Sequence, residues 1–240
     1  MSVALVVPCY EEERRLPFDR FVRFGASWAG RFIFVDDGSR DGTRRLLESL
    51  VARLPPGSEL LALDRNLGKG EAVRLGMLRA FERNATLAGY WDSDLATPLE
   101  AARTFEEILA SEGVNVVMGS RVGLLGRQIE RRASRHYLGR VFATAASLRL
   151  GLRVYDTQCG AKMFRVTPAL KEAFAEKFRS RWIFDVELLG RILSRDPEAR
   201  SRIYEYPLEV WREISGSKLK PMDFLQAALE LRHGRPSPRR

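Results

Sequence analysis

The chain has few of the residues that staple or metallate small folds. Its 240 residues include 2 cysteines and 2 histidines. Cys9 and Cys159 lie far apart and form no C-x-x-C pair, so neither a disulfide framework nor a structural zinc site is expected, and a reducing compartment follows. His136 and His233 have no partners at ligand spacing and read as surface residues. The 19 glycines and 11 prolines fall in no period, which excludes collagen-like and solenoid architectures. No stretch is rich enough in Gly, Ser or Pro to act as a linker. No apolar run approaches the roughly 18 residues that span a bilayer. The first run, Val3 to Val7, stops at Pro8 without a basic lead-in and is too short for a signal peptide's apolar core. A cytoplasmic protein is expected, with peripheral contact at the inner face of the membrane left open.

Positive charge, by contrast, is in surplus. There are 40 Lys+Arg against 31 Asp+Glu, a net charge of +9, which suits anionic partners such as nucleotides, phosphates, acidic lipids or nucleic acid. No helix-turn-helix, zinc-finger or RNP aromatic pattern is present, so a nucleic-acid partner is not expected.

Short apolar stretches alternate with amphipathic ones. Strands are expected at 3–7, 32–35, 60–63, 87–91 and 114–118, and helices at 12–28, 42–53, 70–83 and 99–111. Val73, Met77, Ala80 and Phe81 lie on one face of a 3.6-residue period. Continuous apolar strands interleaved with helices argue for an α/β fold, a mostly parallel sheet covered on both faces. In such sheets the loops after the strand C-termini collect ligand groups. The second half predicts a basic helix over 127–150, a strand pair at 154–165, a helix at 183–194, a strand at 202–211 and an amphipathic helix from Pro221. This divides the chain into a main domain, 1–220, and a C-terminal amphipathic helix with a basic tail, 221–240. The apolar stripes of 127–150 and of Phe224 to Leu231, both flanked by Arg, suit either core packing or an anionic membrane surface.

Asp92-Ser-Asp94 follows the fourth apolar strand. Residues i and i+2 on extended backbone point the same way, so the two carboxylates can converge on a hard cation, Mg²⁺ or Mn²⁺, that bridges to substrate phosphates. The alternative is a solvated strand-end turn. Asp36-Asp37-Gly38-Ser39 ends the second strand and suits either ribose and base recognition or a turn with a helix cap. Asp64-Arg65-Asn66-Leu67-Gly68-Lys69-Gly70 suits close approach to an anion, but it lacks Walker spacing.

Four polar strand-end loops in succession are less readily ascribed to chance than any one of them. The segments VVPCYEEE, FVDDGSRDGT, NLGKGEA, DSDLATP, GSR, DTQCGAKMFR, RWIFDVELL and SGSKL resemble a family-2, inverting glycosyltransferase, closest to the dolichyl- or polyprenyl-phosphate β-glucosyltransferases. The likeness covers about residues 3–220, and DTQCG with RWIFDVELL carries more of it than the widespread DDGS. It implies the nucleotide-diphosphosugar (GT-A, Rossmann-like) fold with a nucleotide-sugar donor, most simply UDP-glucose, and a polyprenyl-phosphate acceptor. By the same resemblance Pro8, Tyr10, Glu12, Asp37 and Asp64 contact the nucleoside, Lys69 and Gly70 lie near the nucleotide or sugar, and Asp92 and Asp94 hold the metal and diphosphate. One position departs from the mannosyl relatives: Ala96 stands where they often place a metal-ligating Gln. The remaining metal shell stays open.

On the acceptor side, Arg121, Arg127, Arg131, Arg132 and Arg135 cluster in sequence, and arginine binds a phosphate monoester in bidentate fashion. Arg121 and Arg131 or Arg135 resemble the family's acceptor contacts. A phosphate nucleophile already carries charge and needs positioning more than a general base. A hydroxyl nucleophile on a soluble acceptor would need one, and Asp156 is then the first candidate, with Asp185 and Glu187 behind it. Trp182, Phe184 and Trp211 suit either the core or a sugar or lipid site. Cys159 reads as a packed thiol.

Overall fold

A computed structural model describes residues 1–130, 133–180 and 183–214, with the backbone alone at 133–138, 140 and 141. Arg131, Trp182, the SGSKL segment and the expected helix and tail at 221–240 lie outside the described residues, as do the side chains of Arg135 and His136.

The apolar run at the start forms β1 (Val3–Cys9), in which Ala4 and Val6 enter one core while Leu5 and Val7 enter another. That alternation buries both faces of the strand, as a sheet covered on both sides requires. In chain order there follow α1 (Phe18–Gly25), β2 (Arg31–Asp36), α2 (Thr43–Val51), β3 (Glu59–Ala62), α3 (Lys69–Glu82), β4 (Leu87–Trp91), α4 (Ala101–Ala110) and β5 (Val116–Ser120). The second half adds β6 (Gln128–Glu130), α5 (Ala133–Leu150), β7 (Ala161–Arg165), α6 (Pro168–Ala175), α7 (Phe184–Arg195), β8 (Ile203–Pro207) and β9 (Val210–Arg212). The main sheet has seven strands in the order β3-β2-β1-β4-β7-β5-β8; only β7 runs antiparallel to its neighbours. Helices α1, α2 and α4 cover one face with Phe21, Leu47 and Phe105; α3, α5, α6 and α7 cover the other with Met77, Phe142, Phe174 and Leu189.

The strand order reverses between β1 and β4, so the loops leaving β1, β2 and β4 open outward around one crevice. The first four strands and α2 to α4 fall within a few residues of their predicted positions.

The second half departs more. In the first half, by comparison, only helix α1 is notably shorter than expected, beginning after Pro17, whose ring tolerates a first helical turn and little before it. Residues 128–130, expected at the start of a helix, instead pair with β9 in a separate two-stranded parallel sheet. The pair expected at 154–165 is a loop followed by the single strand β7, and the strand expected at 202–211 is two, β8 and β9, broken at the buried Leu208. Helix α6 was not anticipated; its Thr167 cap accepts from the Leu170 amide at 3.2 Å and Pro168 opens the first turn.

Candidate active site

The crevice is built by loops that bond to one another. Asp37, 3% exposed at the end of β2, accepts from the amides of Leu67 and Gly68 at 2.7 and 2.9 Å and from Asn66 Nδ2 at 3.0 Å. Its carboxylate therefore fixes the turn that presents Lys69 and Gly70 at the start of α3. Gly38 makes the approach possible. Its φ is +67°, and a Cβ there would lie 2.3 Å from the backbone carbon of Arg65. Beside it the buried Asp36 accepts from the Ser39 amide at 3.1 Å and pairs with Arg44 at 3.2 Å. Pro8, next to last in β1, lies opposite Val35, and the half-buried Tyr10 follows the strand. The hydrogen bond to Glu11 raises the Tyr10 hydroxyl above its ordinary pKa. Glu12 is buried: its amide donates to Thr43 Oγ1 at 2.8 Å and its carboxylate binds Arg15 through two bonds of 2.5 and 3.1 Å. Asp64 is exposed one residue beyond Leu63, whose amide donates to the Asp36 carbonyl at 2.9 Å.

Asp92 and Asp94, both half-buried, leave β4 toward this cluster. Lys69 Nζ lies 2.5 Å from Asp92 Oδ1. Burial alone would raise the Asp92 carboxyl, but the charges of Lys69, Lys162 and Arg121 outweigh it and hold Asp92 below the usual carboxylate range. Asp94 goes the other way: burial, then the neighbouring Asp92 charge, raise it, against the Ala96 amide that donates to Oδ1 at 3.0 Å. One anionic and one reluctantly anionic carboxylate at a strand end make a site that gains from a cation. Lys69 is held above its ordinary value, since Asp92, Asp185 and Asp94 together outweigh the burial that would lower it.

Two features of this cluster were not anticipated. Gly160 packs its α-carbon against Asp92, where a Cβ would stand 1.8 Å from Oδ2, and its carbonyl accepts the Asp92 amide at 3.0 Å. Below lies Lys162, 0% exposed on β7, with Nζ 2.6 Å from both Asp185 Oδ1 and the Cys159 carbonyl; the buried Tyr90 hydroxyl donates to the same Asp185 oxygen. A lone lysine inside the apolar run Ala161 to Phe164 was the available signal, because a buried ammonium requires a buried acceptor.

Of the residues expected on the acceptor side, Arg121 and Asp156, whose side chains are described, meet beside this cluster. Arg121 leaves β5 and binds Asp156 at Nε–Oδ2 2.5 Å and Nη2–Oδ1 2.8 Å, with its own amide donating to Oδ2 at 3.2 Å. Its guanidinium lies 5.3 Å from the Trp211 ring. Asp156 accepts the Gln158 amide as well, at 3.0 Å, and its own amide donates to Glu205 at 2.6 Å. Both oxygens of Asp156, the first candidate base for a hydroxyl acceptor, are thus engaged by Arg121, a geometry that orients the guanidinium. Asp185 is buried against Lys162, while Glu187 binds Arg191 at 2.8 Å and the Arg179 amide at 2.9 Å. Phe184 is core, in contact with Tyr90 at 5.7 Å and within 3.1 Å of where a Cβ on Gly70 would be. Cys159 is buried and its thiol pushed up by burial, as a packed thiol would be. In the neighbouring sequence positions, the buried Ser120 Oγ, Thr157 Oγ1 and Gln158 Nε2 have no hydrogen-bond partner among the described residues.

The sequence profile described as Glycosyl transferase family 2 matches residues 5–171. The dolichyl-phosphate beta-glucosyltransferase ALG5C of Trichomonas vaginalis is 31% identical over 240 residues, covering 94% of this chain and 68% of that one. The dolichyl-phosphate beta-glucosyltransferase of Drosophila melanogaster is 33% identical over 257 residues, covering 96% and 73%. Among solved structures, glucosyl-3-phosphoglycerate synthase of Mycobacterium tuberculosis, in complex with Mn²⁺, uridine diphosphate and phosphoglyceric acid, superposes with a TM-score of 0.67 at 20% identity, over 99% of this chain and 80% of that one.

Proposed function

Because the chain belongs to glycosyl transferase family 2 and has the GT-A fold, we propose that it transfers a hexose, glucose from UDP-glucose, to a polyprenyl phosphate with inversion at the anomeric carbon. The observation that carries this reading is the meeting of two charge systems at Asp92. Lys69 bonds to it from the donor side, and Arg121, set beside the DTQCG loop, acts on it electrostatically from the other.

The donor half follows from the loops. Tyr10, Glu12 and the Asp37-fixed turn border the nucleoside position, and Lys69 supplies positive charge to the diphosphate. Among the described residues no three His, Cys, Asp or Glu side chains gather as a metal site. Asp92 and Asp94 nevertheless fit Mg²⁺ or Mn²⁺: both are hard oxygen donors, and these ions complete their shell with phosphate oxygens and water. When bound, such an ion neutralises the charge developing on the departing nucleoside diphosphate. The M. tuberculosis relative of this fold is described with Mn²⁺ and UDP, which supports the assignment.

The acceptor half rests on Arg121. Asp156 takes Nε and Nη2 of its guanidinium, and Nη1 is the nitrogen assigned to an incoming phosphate. The acceptor phosphate oxygen attacks the anomeric carbon opposite the leaving group, so no proton need be removed. A chain whose first base candidate is already bound to arginine suits that chemistry. The two cysteines, free and buried, accord with a protein at the inner, reducing side of a membrane.

Incubation with radiolabelled UDP-glucose, Mn²⁺ and a polyprenyl phosphate should give labelled lipid that is lost with a chelator. No labelled lipid across several nucleotide-sugar donors would overturn the lipid assignment, and label on a soluble hydroxyl acceptor would replace it. Calorimetric titration with UDP and GDP, with and without Mn²⁺, separates donor class from metal dependence.

A further inference from the structure

Between β5 and β6 the chain reads Arg121-Val-Gly-Leu-Leu-Gly-Arg127, and glycosyl transfer gives the residues between the two arginines no task. Leu125 is 105% exposed and Leu124 48%. They sit at a turn closed by the Arg127 amide donating to the Leu124 carbonyl at 3.1 Å. Among the described residues a Cβ at Gly123 or Gly126 would meet nothing within 4 Å, so the tip stands clear of them on both flanks.

Its base is fixed at each end. Arg121 is tied to Asp156, while the Gln128 amide donates to the Glu209 carbonyl at 2.8 Å and Arg127 pairs with the Glu209 carboxylate at 2.9 Å. Two adjacent leucines are therefore held out into solvent by a built frame, an arrangement unfavourable in water. The surrounding sequence is strongly cationic, with six arginines and one glutamate between 121 and 140. Buried apolar area and attraction of a basic flank to anionic lipid are the two contributions with which binding to a bilayer surface scales. Among the described residues no helix is long and apolar enough to cross a membrane.

We propose that Leu124 and Leu125 insert into the headgroup–acyl boundary of a bilayer containing anionic lipid, seating the loop so that a lipid-borne phosphate arrives at Arg121. The inference rests on the lipid-phosphate acceptor reading for its purpose, but insertion needs neither donor nor acceptor, so the two can fail separately.

The test is flotation of the full chain with vesicles of phosphatidylcholine, with and without phosphatidylglycerol, in the absence of UDP-glucose and polyprenyl phosphate. The parent should float with the anionic vesicles. Leu124→Ser/Leu125→Ser should partition about tenfold less or weaker still, equivalent to about 1.4 kcal/mol, with an unchanged melting temperature and unchanged Mn²⁺–UDP binding. Leu125→Cys carrying an environment-sensitive dye should shift to the blue on the same vesicles; Cys9 and Cys159, each 1% exposed, are shielded from labelling. Equal flotation of parent and double variant, no flotation of the parent, or an unshifted dye would each overturn the insertion. Self-association of the parent that the double variant abolishes, without vesicle binding, would also overturn it, in favour of a second copy of the chain. Leucine-dependent flotation beside failed glycosyl transfer would uphold insertion and sink only the transfer reading.

Discussion

Replacing Lys162 with Met tests whether the fold carries a buried charge system beneath its site. The ammonium is fully enclosed and donates at 2.6 Å to Asp185 and at 2.6 Å to the Cys159 carbonyl. Methionine fills a similar volume, so the packing change is small and the cost is electrical. Removing one partner of a buried ion pair costs about 3–5 kcal/mol, because the other is left uncompensated. Tyr90 still donates to Asp185, and Lys69 acts on it electrostatically; the lower end, about 3 kcal/mol, is therefore expected. For a domain of this size that lowers Tm by about 6–12 °C. Adding Asp185→Asn to Lys162→Met removes the stranded charge while keeping an acceptor for Tyr90, and should return about half of the loss. Urea unfolding monitored by circular dichroism measures all three proteins. A cost below about 1 kcal/mol for Lys162→Met, or a double variant no more stable than the single one, would refute the reasoning.

Three further outcomes are expected. Gly160→Ala would place a carbon 1.8 Å from Asp92 Oδ2 and turn that carboxylate away; calorimetry should show about a tenfold or greater loss of Mn²⁺–UDP affinity, about 1.4 kcal/mol, and parental affinity would count against a positioning role for the glycine. Asp156→Asn weakens the charge-assisted hold on Arg121 and should raise the acceptor KM by about tenfold or more with the donor KM unchanged; a loss confined to kcat, with the acid limb of the pH profile gone, would restore the general-base role. Asp94, raised by burial and by Asp92, binds a cation only when ionised, so Mn²⁺ affinity should fall as pH drops through a value above the ordinary carboxylate range of about 3.9. A Kd that stays constant until pH falls below that range would contradict the assignment.

What could be read in advance follows the range of the forces involved. Strands β1, β2 and β4 announce themselves as continuous apolar runs and α3 by its 3.6-residue stripe, since burial on one or two faces imposes a local period. The polar loops after those strands are legible as a group because the sheet places the C-termini of its parallel strands on one edge. Strands β6 and β9, three residues each and paired across most of the second half of the chain, have no such period, so residues 128–130 read as helix. The partners of Asp156 are not legible in advance because they are remote: Arg121 lies 35 positions away and Glu205 49.

The sequence by itself determined the layered α/β architecture, the edge on which the site lies and the family resemblance, because periodicity and short motifs are local properties that survive without coordinates. Tertiary structure alone decided the electrical state of the site. It brought Lys69 and Gly160 onto Asp92, enclosed Lys162 with Asp185, and bound Asp156 to Arg121, pairings between distant segments whose strength depends on distance and on exclusion of water.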